Sequence, residues 1–229
     1  MKLSVVLGTL NRLRHLERQL PSIRQSCSDV AHEIIVVDGG STDGSADWLV
    51  EQEDVRVIWQ KERLGAVAAF NAGFAIATGE YVANSNDDSI YNGDTLRRAV
   101  EYLDRHKSCG QVAIPFSDPR HLPAVDYIKV GLNRRPYLYA NFGVTRRFLG
   151  EAVGWWGDFC YHYGGDTELS LKIWQAGWTV DVLPYGSVEH FRAQDGTRLE
   201  NDRRTNFAER FAGWSGEIIY ADLDALRPR

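Results

Sequence analysis

The side chains in this sequence best suited to chemistry are a handful of carboxylates, one histidine and a pair of tryptophans. Asp38 stands in VVDGGSTDGS, at the end of an apolar run. The glycines after it let the backbone turn sharply or approach a ligand closely, and its carboxylate can accept a hydrogen bond from the edge of a base. The plainer alternative is a strand-turn-helix with an Asx-type turn, in which Ser41 or Thr42 followed by Asp43 caps a helix beginning near Gly44. Asn86, Asp87 and Asp88 follow another strand-like stretch, in ANSNDDS. Adjacent carboxylates repel, so this cluster is costly unless a cation or hydrogen-bond donors satisfy it. Mg²⁺ or Mn²⁺ takes carboxylate oxygens and leaves positions open for phosphate; a solvated acidic turn ahead of the next helix is the alternative. Asp166, in YGGDTELSLKIW, suits a general base held at a helix start behind two glycines. As a purely structural residue it would be that helix's N-cap, with Leu169 and Ile173 on the buried face and Glu168 favouring the positive helix end. His190, in SVEHFR, offers either a neutral imidazole to a metal or a satisfied structural ring. Trp155 and Trp156, ahead of Asp166, read as core or as a platform for the apolar face of a sugar ring.

The elements that must position these residues follow from periodicity. Leu3 to Leu7 is a short apolar run ending at Gly8, typical of a strand buried on both faces. Leu13, Leu16, Leu20, Ile23 and Cys27 recur at helical spacing, with a kink or restart expected at Pro21. Strands are expected at 33–37, 55–59 and 81–83, and helices at 45–51, 66–77 and 95–106. This alternation implies an α/β fold with a mainly parallel central sheet flanked by helices. Ligands bind such sheets beyond the carboxyl ends of the strands, where Thr9, Asp38 and the Asn86-Asp87-Asp88 cluster fall. The second half is less regular. It suggests strands at 111–116, 125–130, 139–144 and 179–183, a helix at 169–176, and a further helix near 203–211. Specificity is expected from the loops 118–137 and 155–163.

Composition bounds the reading. The 229 residues are 44% hydrophobic and 25% charged, which excludes a disordered, collagenous or coiled-coil chain. They are enough to bury a core without disulfides or structural metals. A net charge of -5 argues against a nucleic-acid partner held by bulk positive charge. Cys27, Cys109 and Cys160, at unrelated spacings, read as reduced thiols of a cytoplasmic protein and not as a disulfide or zinc framework. No apolar run approaches the roughly 20 residues of a membrane helix. The opening MKLSVVLGTLNRLR lacks a small-residue cleavage site, so a buried first strand is expected there and not a signal peptide.

Taken together and in order, SVVLGTLNR, VVDGGSTDGS, LGAVAAFNAGFAIATGEYV, NDD, GGDTELSLKIWQAGW and the later His resemble the inverting family 2 glycosyltransferases of the GT-A fold. The resemblance runs from about Leu3 to His190. It implies a single glycosyltransferase domain over residues 1–229. About 1–90 would form the nucleotide-sugar-binding half, and about 91–229 the acceptor-binding half and tail. It also implies a nucleoside-diphosphate sugar donor of UDP or dTDP type, a glycan or lipid-linked glycan acceptor, and a divalent metal, Mn²⁺ or Mg²⁺. Carried over position by position, Thr9 and Asp38 contact the base, and Asn71 and Asp87 join the nucleotide-binding set. Asn86 and Asp88 match the two ends of the family's Asp-x-Asp motif. The interval to Leu96 makes Asp88 the main metal ligand, and His190 matches a residue that completes the metal shell in many relatives. Asp166 matches the catalytic base, with Trp155 and Trp156 toward the acceptor. The sequence departs from the pattern at Gly8 and Leu10, where Pro and Tyr are usual, at Asn86, and at Gly165, where the family has the Glu of a Glu-Asp pair.

Two other classes fit parts of this pattern. A sugar-phosphate nucleotidyltransferase shares the layout and the metal, but would carry a Gly-rich basic loop after the first strand, and GTLNRLR has a single Gly. A non-catalytic nucleotide- or glycan-binding module of the same fold is suggested by Gly165 and Leu10, and would bind nucleotide without turnover.

Overall fold

The computed structural model describes residues 1–117, 126–132, 137–157, 164–191 and 218–222. The first half alternates strand and helix: β1 (Leu3–Thr9), α1 (Leu13–Ser26), β2 (His32–Asp38), α2 (Ser45–Val50), β3 (Val55–Trp59), α3 (Ala66–Ile76), β4 (Tyr81–Asn86), a short β5 (Ser89–Tyr91) and α4 (Thr95–Arg105). The second half adds β6 (Cys109–Ala113), β7 (Phe116–Ser117), β8 (Asp126–Leu132), β9 (Gly143–Arg146), α5 (Arg147–Val153), α6 (Gly165–Gln175), β10 (Thr179–Val182), β11 (Val188–His190) and β12 (Ile218–Asp222).

The central sheet has seven strands in the order β10-β6-β9-β4-β1-β2-β3. β9 runs antiparallel to β4 and β6, and the other strands share one direction. The carboxyl ends of β1, β2 and β4 therefore open on one edge. α6 leads into β10, so it starts toward that same edge. A second sheet, unexpected from the sequence, has the order β12-β8-β7-β11-β5. It begins with β5, directly after Asp88, and carries His190 at the end of β11.

Alternation along the strands sends side chains to opposite faces. Leu3, Val5 and Leu7 of β1 pack with Leu16, Leu20 and Ile23 of α1 and Leu96, Val100 and Leu103 of α4. Val6 of β1 and Ile35 of β2 face the other way, onto Val67, Phe70 and Phe74 of α3, Leu149 of α5, and Leu169 and Ile173 of α6. α3 lies close against β1 because residue 73 is glycine: a Cβ there would stand 2.3 Å from the Val6 side chain. The helix-sheet-helix layering thus fixes which loops gather at the carboxyl edge.

Several sequence expectations shift. α1 continues through Pro21 without restarting. Pro21 and Glu17 are both exposed, so water can satisfy the carbonyl that loses its N–H partner. The expected strand at 111–116 divides between β6 and β7, one in each sheet. The one expected at 139–144 starts only at Gly143, and Tyr139 forms a single bridge to Lys129. The expected helix near 203–211 and Cys160 lie outside the described residues. Cys27 and Cys109 are free and buried, and burial pushes both thiols up to about 12. Among the described residues no helix is long and apolar enough to cross a membrane.

Glu33 pins the amino-terminal edge of the sheet. Its carboxylate accepts hydrogen bonds from Ser4 Oγ at 2.7 Å, from the Thr78 N–H and Oγ1 at 2.7 Å each, and from Arg56 at 2.7 Å. Burial opposes its ionisation, but these donors outweigh burial and hold it down to about 2. A carboxylate lowered in the folded state adds stability above its ordinary range and loses it as pH falls through the folded value. Glu33→Gln is therefore expected to cost about 1–3 kcal/mol at pH 7. The deficit should shrink as pH falls from about 4.5 toward about 2, read from urea unfolding of both proteins across that range. A deficit independent of pH would contradict the assignment.

Candidate active site

The loops after β1 and β2 are stitched together. Asp38 is 1% exposed, and its Oδ1 accepts the N–H groups of Gly40 and Ser41, both at 2.9 Å. The Asx-type turn read from VVDGGS is thus present, and it uses one oxygen only. Asp38 Oδ2 is buried with no hydrogen-bond partner. Asn11, at φ 54, accepts the Thr42 N–H at 2.7 Å, and its own N–H donates to Ser41 Oγ at 2.9 Å. Asp43 spans two helix starts: Oδ1 accepts the Ser45 N–H at 3.0 Å and Oδ2 the Leu13 N–H at 3.0 Å. The N-cap of α2 itself is Gly44. Burial opposes ionisation of Asp43, but these donors hold it below its ordinary range.

The acidic turn after β4 is held from three sides. Thr9 Oγ1 donates to Asp87 Oδ2 at 3.1 Å, and Arg12 NH1 lies 3.5 Å from Asp87 Oδ1 and 3.9 Å from Asp88 Oδ2. Beneath the turn, the buried Gln19 side chain donates to Ser85 Oγ at 3.0 Å, to Ser89 Oγ at 3.1 Å and to the Asn86 carbonyl. Ser89 Oγ also donates to the Asn86 carbonyl, at 2.7 Å. On the far side, His190 Nε2 stands 3.1 Å from Asp88 Oδ1, and the Asp88 carbonyl accepts the Phe191 N–H at 2.9 Å. Edge contacts from Phe142 and Phe116 fix the imidazole, whose Nδ1 is buried without a partner. Asp88 and His190, 102 residues apart, are thereby brought face to face.

Asp166 is not the N-cap of α6. Gly164, at φ 90, takes that position, and Asp166 lies inside the first turn at 9% exposure. Its Oδ1 accepts the Thr167 N–H at 2.8 Å, and its Oδ2 pairs with Lys129 Nζ at 2.6 Å. Lys129, Arg12 and Gln19 were not singled out in the sequence. Lys129 left one signal, a charge inside the otherwise apolar run YIKVGL.

The tryptophans are largely core. Trp156 is 6% exposed and packs on Phe70 at 4.3 Å; Trp155 stacks on Phe74 at 4.5 Å. Asn71, expected toward the nucleotide, has its amide engaged by the Trp156 backbone: Nδ2 donates to the carbonyl at 2.8 Å and Oδ1 accepts the N–H at 3.3 Å. Glu168, the second carboxylate at the start of α6, accepts the Gly157 N–H at 2.7 Å and pairs with Lys172 at 3.1 Å. Gly165 has a packing reason, since a Cβ there would fall 2.2 Å from the Trp156 ring.

Residues 4–154 match the model of glycosyl transferase family 2, and the chain belongs to that family. The matched span includes Thr9, Asp38 and the acidic turn, and ends before Asp166 and His190. An uncharacterized glycosyltransferase of Nostoc sp. is 40% identical over 107 residues, covering 44% of this chain and 32% of that protein. A PGL/p-HBAD biosynthesis glycosyltransferase of Mycobacterium bovis is 34% identical over 110 residues, covering 45% and 42%. The matches thus span less than half the length of these curated relatives. Among solved structures, the mannosyltransferase PcManGT of Pyrobaculum calidifontis, in complex with GDP-Man and Mn²⁺, aligns with TM-score 0.68 at 22% identity over 89% of this chain and 60% of that one. TarS of S. aureus in complex with UDP-GlcNAc aligns with TM-score 0.66 at 20% identity, over 85% and 60%. These likenesses establish the GT-A fold.

The Gly165–Trp156 contact makes a prediction of definite sign. Alanine is ordinarily preferred over glycine in a helix, by at most about 1 kcal/mol, and Gly165 is the first residue of α6. Here the added methyl meets an indole ring that is itself packed, and overpacking costs about 1–3 kcal/mol. Gly165→Ala is expected to lower the thermal unfolding midpoint. An unchanged or raised midpoint would contradict the packing.

Proposed function

We propose that this protein moves a sugar, of hexosyl type, from a nucleoside-diphosphate sugar to a hydroxyl of a glycan or lipid-linked glycan, with inversion at the anomeric carbon. The observation that carries the reading is the meeting of Asp88 and His190, 3.1 Å apart, at the sheet edge toward which Asp38 and the start of α6 also lie. A carboxylate oxygen and an imidazole nitrogen in contact are a donor pair for a divalent cation: the carboxylate suits Mg²⁺ or Mn²⁺, and the imidazole favours Mn²⁺ of the two. Among the described residues no three His, Cys, Asp or Glu side chains gather. The protein would therefore supply Asp88 and His190, with Asn86 beside them, and diphosphate and water would fill the rest. When bound, the cation neutralises charge on the departing diphosphate.

The chain's own residues account for the other tasks. Asp38 Oδ2, buried and unpartnered, suits the ring N–H of uracil, thymine or guanine; adenine has none at that edge. Thr9 and Arg12 hold Asp87, so Thr9 and Asp87 form the floor beside the base and ribose. Asn71, through the Trp156 backbone, ties the acceptor-side loop to α3. Asp166 would take the proton from the acceptor hydroxyl as its oxygen bonds to the anomeric carbon. The carbon–oxygen bond to the diphosphate breaks on the opposite face, and its electron pair leaves with the phosphate. Holding both substrates in line supplies much of the rate.

Calorimetry with UDP, dTDP, GDP and ADP in the presence of Mn²⁺ tests the donor half. At least one of the first three is expected to bind at least tenfold more tightly than ADP, since an unpaired buried polar group costs about 1–3 kcal/mol. Asp88→Ala should abolish the Mn²⁺-dependent part of that affinity. Equal affinity with a chelator present, or tighter ADP binding, would count against the reading.

The chemical half is tested by Asp166→Asn, which preserves shape but cannot take the proton. Release of nucleoside diphosphate from the preferred donor is expected to fall by about 10²–10⁴-fold, with nucleotide affinity little changed. NMR of the product should show the donor's anomeric configuration inverted. Near-normal turnover, or retention of configuration, would refute this assignment.

A further inference from the structure

Lys129 and Asp166 form a buried ion pair that the proposed reaction does not by itself require. Their side chains are 8% and 12% exposed, and the Nζ–Oδ2 distance is 2.6 Å. A pair withdrawn from water in this way is a poor device for stability, because apolar replacements of similar volume are often neutral or stabilising. Its geometric effect is more specific. The Thr167 N–H holds Oδ1 and Lys129 holds Oδ2, so the carboxylate is fixed at both ends in one rotamer. An ionised carboxylate has roughly four lone-pair positions, so each oxygen keeps capacity for an incoming hydroxyl.

The position of Lys129 in the second sheet adds a further connection. It stands on β8, which pairs with β7; β7 pairs with β11, which ends at His190. β11 in turn pairs with β5, with His190 opposite Ser89, the residue after Asp88. One sheet therefore carries the lysine that fixes Asp166 and the strands that bring His190 against Asp88. Lys129 and His190 are thus linked through the backbone pairing of β8, β7 and β11.

We propose that Lys129 is a positioning residue for the transfer step: its ammonium holds Asp166 in register with the Asp88–His190 side of the cleft. This rests on the reading of Asp166 as the base. Lys129 touches neither donor nor reacting atoms in this account, and it acts through Asp166 alone.

The test measures turnover of the preferred nucleotide sugar together with affinity for its nucleoside diphosphate. Lys129→Met keeps length and apolar volume and removes the charge. It is expected to lower turnover by about 10²-fold, the scale of an ångström-level misplacement, while nucleotide affinity stays within a factor of about two. Lys129→Ala opens a space matching propylammonium, which replaces Cγ through Nζ. Millimolar propylammonium should restore part of the lost turnover, and propanol, of the same shape without charge, should not. If Lys129→Met also loses nucleotide affinity, the Lys129→Ala rescue decides: recovery with the amine alone supports the role, and none overturns it. Near-normal turnover in Lys129→Met alongside loss in Asp166→Asn overturns the role of Lys129 and leaves the base intact. Near-normal turnover in Asp166→Asn overturns the base reading, and the inference with it.

Discussion

Two carboxylates on adjacent residues, nearly out of solvent at the end of a central strand, impose the constraint on which this site depends. Asp87 and Asp88 repel each other, and the fold answers with donors from elements far apart in sequence. Thr9 at the end of β1, Arg12 in the turn after it and His190 at the end of β11 face the carboxylates, while Gln19 of α1 holds the turn's backbone from beneath. Each depends on the parallel sheet being assembled. Thr9 stands beside the turn because β1 pairs with β4 in parallel, with Gly8 opposite Asn86. His190 reaches Asp88 because the second sheet starts where the acidic turn ends. The turn is therefore also a joint between the two sheets.

A second centre of polar order stands where α6 begins. Gly164 caps the helix, Gly165 gives way to the Trp156 ring, and Asp166 is left inside the first turn against Lys129. The substitution of Gly for the family's usual Glu at residue 165 fits this packing, because a side chain there would occupy the space of the indole. Asn71 completes the arrangement by binding both backbone groups of Trp156. The tryptophans thus hold α6 against α3.

The sequence made the first half of the fold legible because its strands and helices are short, strongly periodic and separated by glycine-rich turns. β3 falls at the residues that periodicity indicates, and β2 extends only one residue beyond at each end. The positions of Asp38 and of the acidic turn were legible for the same reason: Asp38 ends β2 and the turn follows β4, both at the carboxyl edge of the sheet. What local pattern could not convey is partnership across the chain. Gln19 reads as one polar residue on an amphipathic helix, and only the assembled fold shows it under the acidic turn. Lys129 reads as the outward residue of a strand and is in fact buried against Asp166. β5 is only three residues long, and both it and β12 take their stability from pairing within the second sheet, which local pattern does not convey. The N-cap alternative for Asp166 fails because a left-handed glycine, Gly164, does that work two residues earlier.

In the proposed centre a divalent cation would be held by the carboxylate of Asp88, directly before β5, and the imidazole of His190, at the end of the neighbouring β11. Crystals grown with UDP and Mn²⁺, with anomalous data collected at the manganese edge, would locate the metal directly. The account predicts a peak shared by Asp88 and His190, contacting the diphosphate, with the base against Asp38. Bound nucleotide with no metal at that pair, or a metal held elsewhere on the chain, would contradict it.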